Sequence, residues 1–240
     1  MKRIEILNID IDNFTKTELL NELSESIRRD QRKFLVTANP EIIMMANKDL
    51  NFARAVQGAD YVVADGIGLI IGSKIIGHPL KERIPGVELM QELLNLAEKN
   101  NLSIYLYGAK PEVLKKLRTV IRETYSKVTI AGSSDGYTGS PEEVAKQIKA
   151  TAPDLVFVAL GAPKQESWIY NNYTDFSKGV FVGVGGSFDV LSGTVKRAPK
   201  IWRTLNLEWL YRILKQPSRW RRSMLLPAYL AAVLRSRLRQ

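Results

Sequence analysis

Short apolar runs alternate with amphipathic stretches along the first four-fifths of the chain, as in a largely parallel sheet covered by helices. The apolar runs predict strands at 33–36, 61–64, 103–107, 128–131, 154–160 and 180–184. Between them, apolar residues at helical spacing predict helices at 17–29, 40–47, 87–99, 111–124, 141–150 and 163–170. Several of these open on a proline in the first turn, where its missing N–H costs nothing. The fold class read from this pattern is α/β, with helices on both faces of the sheet. After Gly193 the character changes, and aromatic and arginine residues interleave at helical spacing through Trp202, Trp209, Tyr211, Trp220 and Tyr229. The predicted organisation is an α/β body over 1–195 and a basic, amphipathic helical appendage over 196–240.

Charge sharpens that boundary. The chain of 240 residues carries a net +10, yet its first 195 residues hold 23 basic and 24 acidic side chains. From Lys196 onward there are twelve Lys or Arg against one acidic residue, Glu208. A near-neutral body thus carries a basic arm suited to phosphate, an anionic membrane or nucleic acid.

Other features exclude whole classes. Cysteine is absent, so disulfides, thiolate metal sites and cysteine nucleophiles are ruled out. The one histidine, His78, removes multi-histidine zinc sites and reads as a loop residue beside Pro79. Met1 to Asp12 is charged throughout and does not read as a signal peptide. The longest uncharged stretch near the end, 223–234, has 12 residues and an internal proline, short of the roughly 20 needed to span a bilayer.

In sheets of this Rossmann-like kind, ligands gather beyond the carboxyl ends of the strands. Five such ends carry polar or glycine-rich sequence: TANPE (37–41), ADGIG (64–68), YGAKPE (107–112), GAPKQE (161–166) and GVGGSFD (183–189). Asp65 follows an apolar strand, and its carboxylate suits either a helix cap or a general base. Residues alone leave both open. YGAKPE and GAPKQE predict turns whose N–H groups suit an anion, and GVGGSFD predicts an amide nest around Gly185 and Gly186. Gln165 is expected on a loop rim, as a hydrogen-bonding ligand or an exposed helix residue. GIGLIIG (66–72) imitates a dinucleotide fingerprint, but GHPLKERIPG follows where a second strand with an acidic end is required. Asp10 and Asp12 have the spacing of a carboxylate pair holding a cation, although edge-strand alternation also explains them and two carboxylates make a poor cage.

Taken in order, TANPE, ADGIG, KERIPGVELM, GAPKQE-x-W, GVGGSFDVLSG, RAPK and EWLYR…QPSRWRR closely resemble the WecG/TagA/CpsF family of bacterial glycosyltransferases, over residues 4 to 225. The resemblance implies an inverting, metal-independent enzyme with no cofactor, peripheral on the cytoplasmic face of the cell membrane. It implies transfer of N-acetylmannosamine from a UDP-sugar donor to undecaprenyl-diphosphate-linked N-acetylglucosamine, in wall teichoic acid or related surface polysaccharide synthesis. Relatives move N-acetylmannosaminuronate or glucose, and the motifs do not separate these donors. Carried across by motif, the base falls on Asp65, and the substrate-binding pocket on Thr37, Asn39, Arg83 and Gln165. Nucleotide and diphosphate contacts fall on Gly108, Tyr137, Asp189, Arg212, Arg219 and Arg222. The implied partners include an anionic membrane surface but no nucleic acid, and homo-oligomer formation stays open. A nucleotide-binding module docking on nucleic acid is the competing reading of the basic arm.

Overall fold

The computed structural model describes residues 3–204, 207–215 and 225–238, without the side chains of Arg203 and of residues 212–215. Six parallel strands form the sheet: β3 (Arg32–Ala38), β4 (Tyr61–Ala64), β5 (Ser103–Gly108), β6 (Thr129–Ser134), β7 (Leu155–Ala159) and β8 (Gly179–Gly183). Their spatial order is β4-β3-β8-β7-β5-β6. The α/β reading of the sequence holds, and each of its six predicted strands is present.

Strand alternation sends side chains to two separate cores. Phe34, Val36, Ala38, Val156 and Val158 face one side. There they meet α2 (Pro40–Ala46), α3 (Leu50–Gln57), α7 (Pro141–Thr151) and α8 (Lys164–Asn172). Leu35, Leu155, Phe157, Val180 and Val182 face the other. Their cover is α1 (Lys16–Arg28), α5 (Gly86–Asn100), α6 (Pro111–Thr124) and α9 (Ser187–Leu191). Burial on both faces is why these strands read as unbroken apolar runs.

Beyond α9, the described residues of the appendage form three helices: α10 (Lys200–Thr204), α11 (Glu208–Lys215) and α12 (Leu225–Arg237). Trp202 and Tyr211 join α10 to α11 with ring centroids 5.6 Å apart. α12 lies on the body, with Tyr229 and Val233 fully buried, Leu230 half-buried and Leu234 exposed. Trp220 and Met224 lie outside the described residues. No helix among the described residues is long and apolar enough to cross a membrane.

One stretch takes an unexpected form, and another is the short strand that already offered an explanation of Asp10 and Asp12. Residues 67–75 form helix α4 (Ile67–Ile75), and its glycines serve packing. A β-carbon on Gly68 would fall 2.7 Å from Leu226, and one on Gly72 would fall 2.3 Å from the Tyr229 hydroxyl. The imitation of a dinucleotide loop is therefore a groove for α12. The Asp10–Asp12 stretch belongs to a hairpin of β1 (Arg3–Ile6) and β2 (Ile9–Asp12), with Leu7 and Asn8 at left-handed φ in its two-residue turn. Asp10 points to solvent. Asp12 is 3% exposed, pairs with Arg3 at 2.9 Å and accepts the Val62 N–H at 2.8 Å, joining the hairpin to β4.

The site is placed by topology. β3 and β8 are neighbours, but α2 follows β3 on one face and α9 follows β8 on the other. Connections that part in this way open a crevice at the carboxyl ends of the strands.

Candidate active site

A cavity of about 380 Å³ fills that crevice, a size within the range of small-ligand sites. It brings together Thr37, Asn39, Asp65, Arg83 and Gln165, all five expected from the sequence as base and substrate-binding pocket.

Asp65 is fixed by its backbone. Its N–H donates to the Ala38 carbonyl at 2.8 Å, carrying the β3–β4 pairing one residue past the strand. The cap of α4 is Gly66, and no side chain caps that helix. The helix-cap explanation of Asp65 therefore fails. Its half-buried carboxylate lines the cavity instead. α5 begins directly beside it: a β-carbon on Gly86 would lie 3.7 Å from Asp65 Oδ2 and 3.3 Å from Thr37 Oγ1. The amino end of this 15-residue helix favours negative charge in the cavity.

Thr37 is 7% exposed, and its hydroxyl donates to the Gly183 carbonyl at 3.2 Å, bridging β3 and β8. Asn39 caps α2 through Oδ1, which accepts the Ile42 N–H at 3.0 Å. Arg83 makes no ion pair with a described residue. A half-buried guanidinium so placed suits a diphosphate.

Gln165 is no rim residue. It is 4% exposed, and its Oε1 accepts the N–H groups of Gly161 at 3.0 Å and Gly185 at 3.1 Å. This also corrects the expected amide nest, because the Gly185 N–H is held by Gln165 and the Ser187 N–H by the Val184 carbonyl. Behind Gln165 lies Glu166, 1% exposed, whose Oε1 accepts from Gln165 Nε2 at 2.8 Å. Burial pushes the Glu166 carboxyl up to about 7; the Gln165 hydrogen bond opposes that, and the charge of Glu41 adds to it.

The appendage completes the wall through Glu208 and Trp209 of α11 and Leu225 and Leu226 of α12. Arg197, from the RAPK motif, ties it to the body. Its guanidinium lies 2.7 Å from Glu88 on α5 and 3.8 Å from Glu208 on α11. Sequence reading assigned no role to Arg197, Glu88, Gly86 or Glu166. RAPK and GAPKQE were visible as motifs, but their partners are distant in sequence.

Gly108, Tyr137 and Asp189, expected as nucleotide contacts, are not among the residues lining this cavity. Gly108 is required by packing, since at φ +115° its β-carbon would fall 2.5 Å from the Ala159 carbonyl oxygen. Tyr137 is 72% exposed, on a turn where Asp135 accepts the N–H groups of Tyr137 and Thr138. Asp189 is half-buried in α9. The Arg212 side chain, Arg219 and Arg222 lie outside the described residues. As for metals, no group of three or more His, Asp or Glu side chains that could hold an ion occurs among the described residues.

Residues 4–240 match the model of the glycosyl transferase WecG/TagA/CpsF family. The chain is 43% identical over 227 residues to a protein of Bacillus spizizenii, covering 93% of this chain and 88% of that one. It is 42% identical over 237 residues to one of Bacillus subtilis, covering 98% and 92%. With one of Staphylococcus aureus it shares 35% identity over 237 residues, covering 98% and 93%. All three relatives are named N-acetylglucosaminyldiphosphoundecaprenol N-acetyl-beta-D-mannosaminyltransferase. A match spanning the Asp65 crevice and the appendage that closes it assigns the chain: it belongs to the WecG/TagA/CpsF family of glycosyltransferases.

Proposed function

We propose that the enzyme transfers N-acetylmannosamine from its UDP donor to N-acetylglucosaminyl-diphospho-undecaprenol, with inversion, using Asp65 as the base. The observation that carries this reading is the position of Asp65: a carboxylate not used as a helix cap, lining the same cavity as Arg83. An acceptor hydroxyl is a weak nucleophile until a carboxylate takes its proton. In the proposed step that proton passes to Asp65 and the acceptor oxygen bonds to the anomeric carbon. The bond from that carbon to the diphosphate oxygen breaks, and UDP leaves with the electron pair. Attack opposite the leaving group inverts the anomeric centre.

The departing diphosphate needs positive charge. Arg83 supplies one guanidinium, and we assign Arg212, Arg219 and Arg222 of the appendage as further donors. Gly108, Tyr137 and Asp189 would hold the nucleotide on the adjoining sheet edge. Metal independence belongs to the same proposal. The carboxylate pair read from the sequence does not act as a cage, because Asp12 is engaged by Arg3 and by the Val62 N–H. Trp209, Leu225 and Leu226 shield the reacting centre from water, which limits wasteful hydrolysis of the donor.

The lipid acceptor implies work at a membrane, and we propose peripheral attachment through the appendage at the cytoplasmic face. Its basic excess and the exposed Ile201, Leu234 and Leu238 support this, each basic residue near an anionic surface contributing on the order of 1 kcal/mol. The test is mass spectrometry of products from a panel of UDP-sugars with a short-chain lipid-diphosphate N-acetylglucosamine acceptor. Product from UDP-N-acetylmannosamine alone supports the reading, and preference for another donor replaces the sugar while keeping the chemistry.

A further inference from the structure

Backbone N–H groups cannot be turned round. The Gly161 and Gly185 donors therefore require the oxygen end of the Gln165 amide to face them, at 3.0 and 3.1 Å. The nitrogen end must then face Glu166, which accepts at 2.8 Å. Gly183 leaves the room for this, since a β-carbon there would fall 2.6 Å from Gln165 Nε2. At 4% and 1% exposure, neither side chain draws its partner from bulk water.

The two glycines belong to different turns. Gly161 follows β7 with φ +76°, Gly185 follows β8 with φ +48°, and both line the cavity that holds Asp65. The β7–β8 ladder ends where the Val184 N–H meets the Val158 carbonyl at 2.9 Å. Past that bond, Gln165 is the link between the turns.

We infer that Glu166 is a positioning residue of the transfer reaction: it holds the Gln165 amide in the one orientation that ties Gly161 to Gly185 and keeps the cavity floor rigid beside Asp65. The inference rests on the reading of this cavity as the transfer site. Without an acceptor at 166, the Gln165 nitrogen is buried unpaired, and the cheapest relief is for the side chain to leave. A neutral carboxyl and a carboxylate both accept at Oε1, so the charge of Glu166 is not what the arrangement needs.

The test compares Glu166→Leu, which removes the acceptor, with Glu166→Gln, which keeps one. Transfer kinetics, thermal melts and amide hydrogen exchange are measured on the full chain. For Glu166→Leu we expect a roughly 10- to 100-fold loss of kcat, the scale of an ångström-level misplacement. The donor KM should stay near the wild-type value, and exchange at Gly161 and Gly185 should quicken. Glu166→Gln should keep most turnover and slow exchange. Wild-type turnover or unchanged exchange in Glu166→Leu overturns the inference, as does an equal loss in Glu166→Gln. Should Glu166→Leu not fold, a reciprocal swap decides. Gln165→Glu alone sets two carboxyls against each other, whereas Gln165→Glu with Glu166→Gln restores one donor and one acceptor. Recovery of slow exchange at Gly161 and Gly185 in the double variant is expected, and failure to recover overturns the inference. If the wild type transfers no sugar from any UDP donor, the transfer reading fails instead. The exchange comparison then still decides whether Glu166 holds the two turns together.

Discussion

The hydroxyl of Tyr229 rests on Gly72, so close that a β-carbon at 72 would lie 2.3 Å from it. This contact seats α12 in the groove of α4, and α12 in turn brings Leu225 and Leu226 to the cavity wall. A residue near the end of the chain is thereby coupled to the site at Asp65. Gly72→Ala should push α12 outward, quicken hydrogen exchange over 225–237 and lower transfer. Unchanged exchange there would show that the groove does not hold the helix.

The same hydroxyl is buried and finds no hydrogen-bond partner among the described residues. Burial pushes it well above the usual tyrosine range. Tyr229→Phe removes an unsatisfied polar group while keeping the ring. The protein should melt at the same or a slightly higher temperature, with a gain of up to about 1 kcal/mol. A clear fall in Tm would mean that the hydroxyl has a partner in solution.

Glu166 makes stability depend on pH in a stated direction. Its folded pKa of about 7 lies above the ordinary 4.5, so the native state binds the extra proton between those values. Its contribution is fully present below pH 4.5 and is lost as pH rises through 7. The loss amounts to about 3 kcal/mol by proton linkage. Glu166→Gln does not titrate. Thermal melts from pH 5 to pH 8 should show the variant gaining on the wild type by several degrees. Parallel pH profiles would contradict the burial argument.

Arg197 joins Glu88 on the body to Glu208 on the appendage, and its buried Nε has no partner among the described residues. Arg197→Met should loosen α11, expose the cavity and reduce transfer more than it reduces UDP binding. A variant with native exchange over 208–215 and full turnover would remove this link from the account. Ending the chain at residue 195 is the stronger form of the test, since it deletes Glu208, Trp209, Leu225 and Leu226 from the wall. That body should be nearly inactive and should no longer sediment with anionic vesicles.

Metal independence has its own test. Activity should survive excess EDTA in metal-stripped buffer. Loss on chelation, restored by magnesium or manganese, would place a cation in the mechanism.

Much of the fold was legible because the central strands are buried on both faces and their helices carry clear apolar spacing. The strand-end motifs also gathered Thr37, Asn39, Asp65, Arg83 and Gln165 at one crevice. Direction was what local pattern could not supply. Gln165 follows the glycine turn at 161 and looked like a rim residue. It points inward because the N–H groups of Gly161 and Gly185 need one acceptor, and only the folded chain sets those turns side by side. The role of the glycines of 66–72 was hidden for a similar reason, since their packing partners, Leu226 and Tyr229, lie more than 150 residues further on. Asp12 looked like half of a cation site because its partners, Arg3 and the Val62 N–H, come from another strand and a later segment.

The most direct test of the whole account is turnover of Asp65→Asn. Wild type and variant are assayed side by side with UDP-N-acetylmannosamine and the short-chain acceptor, with melts and UDP binding as controls. Because Gly66 caps α4, the substitution removes no helix cap, and folding and UDP binding should be near wild type. Turnover should fall by roughly 10²- to 10⁴-fold, the usual worth of a general base. Near wild-type turnover in Asp65→Asn would contradict the assignment at its centre.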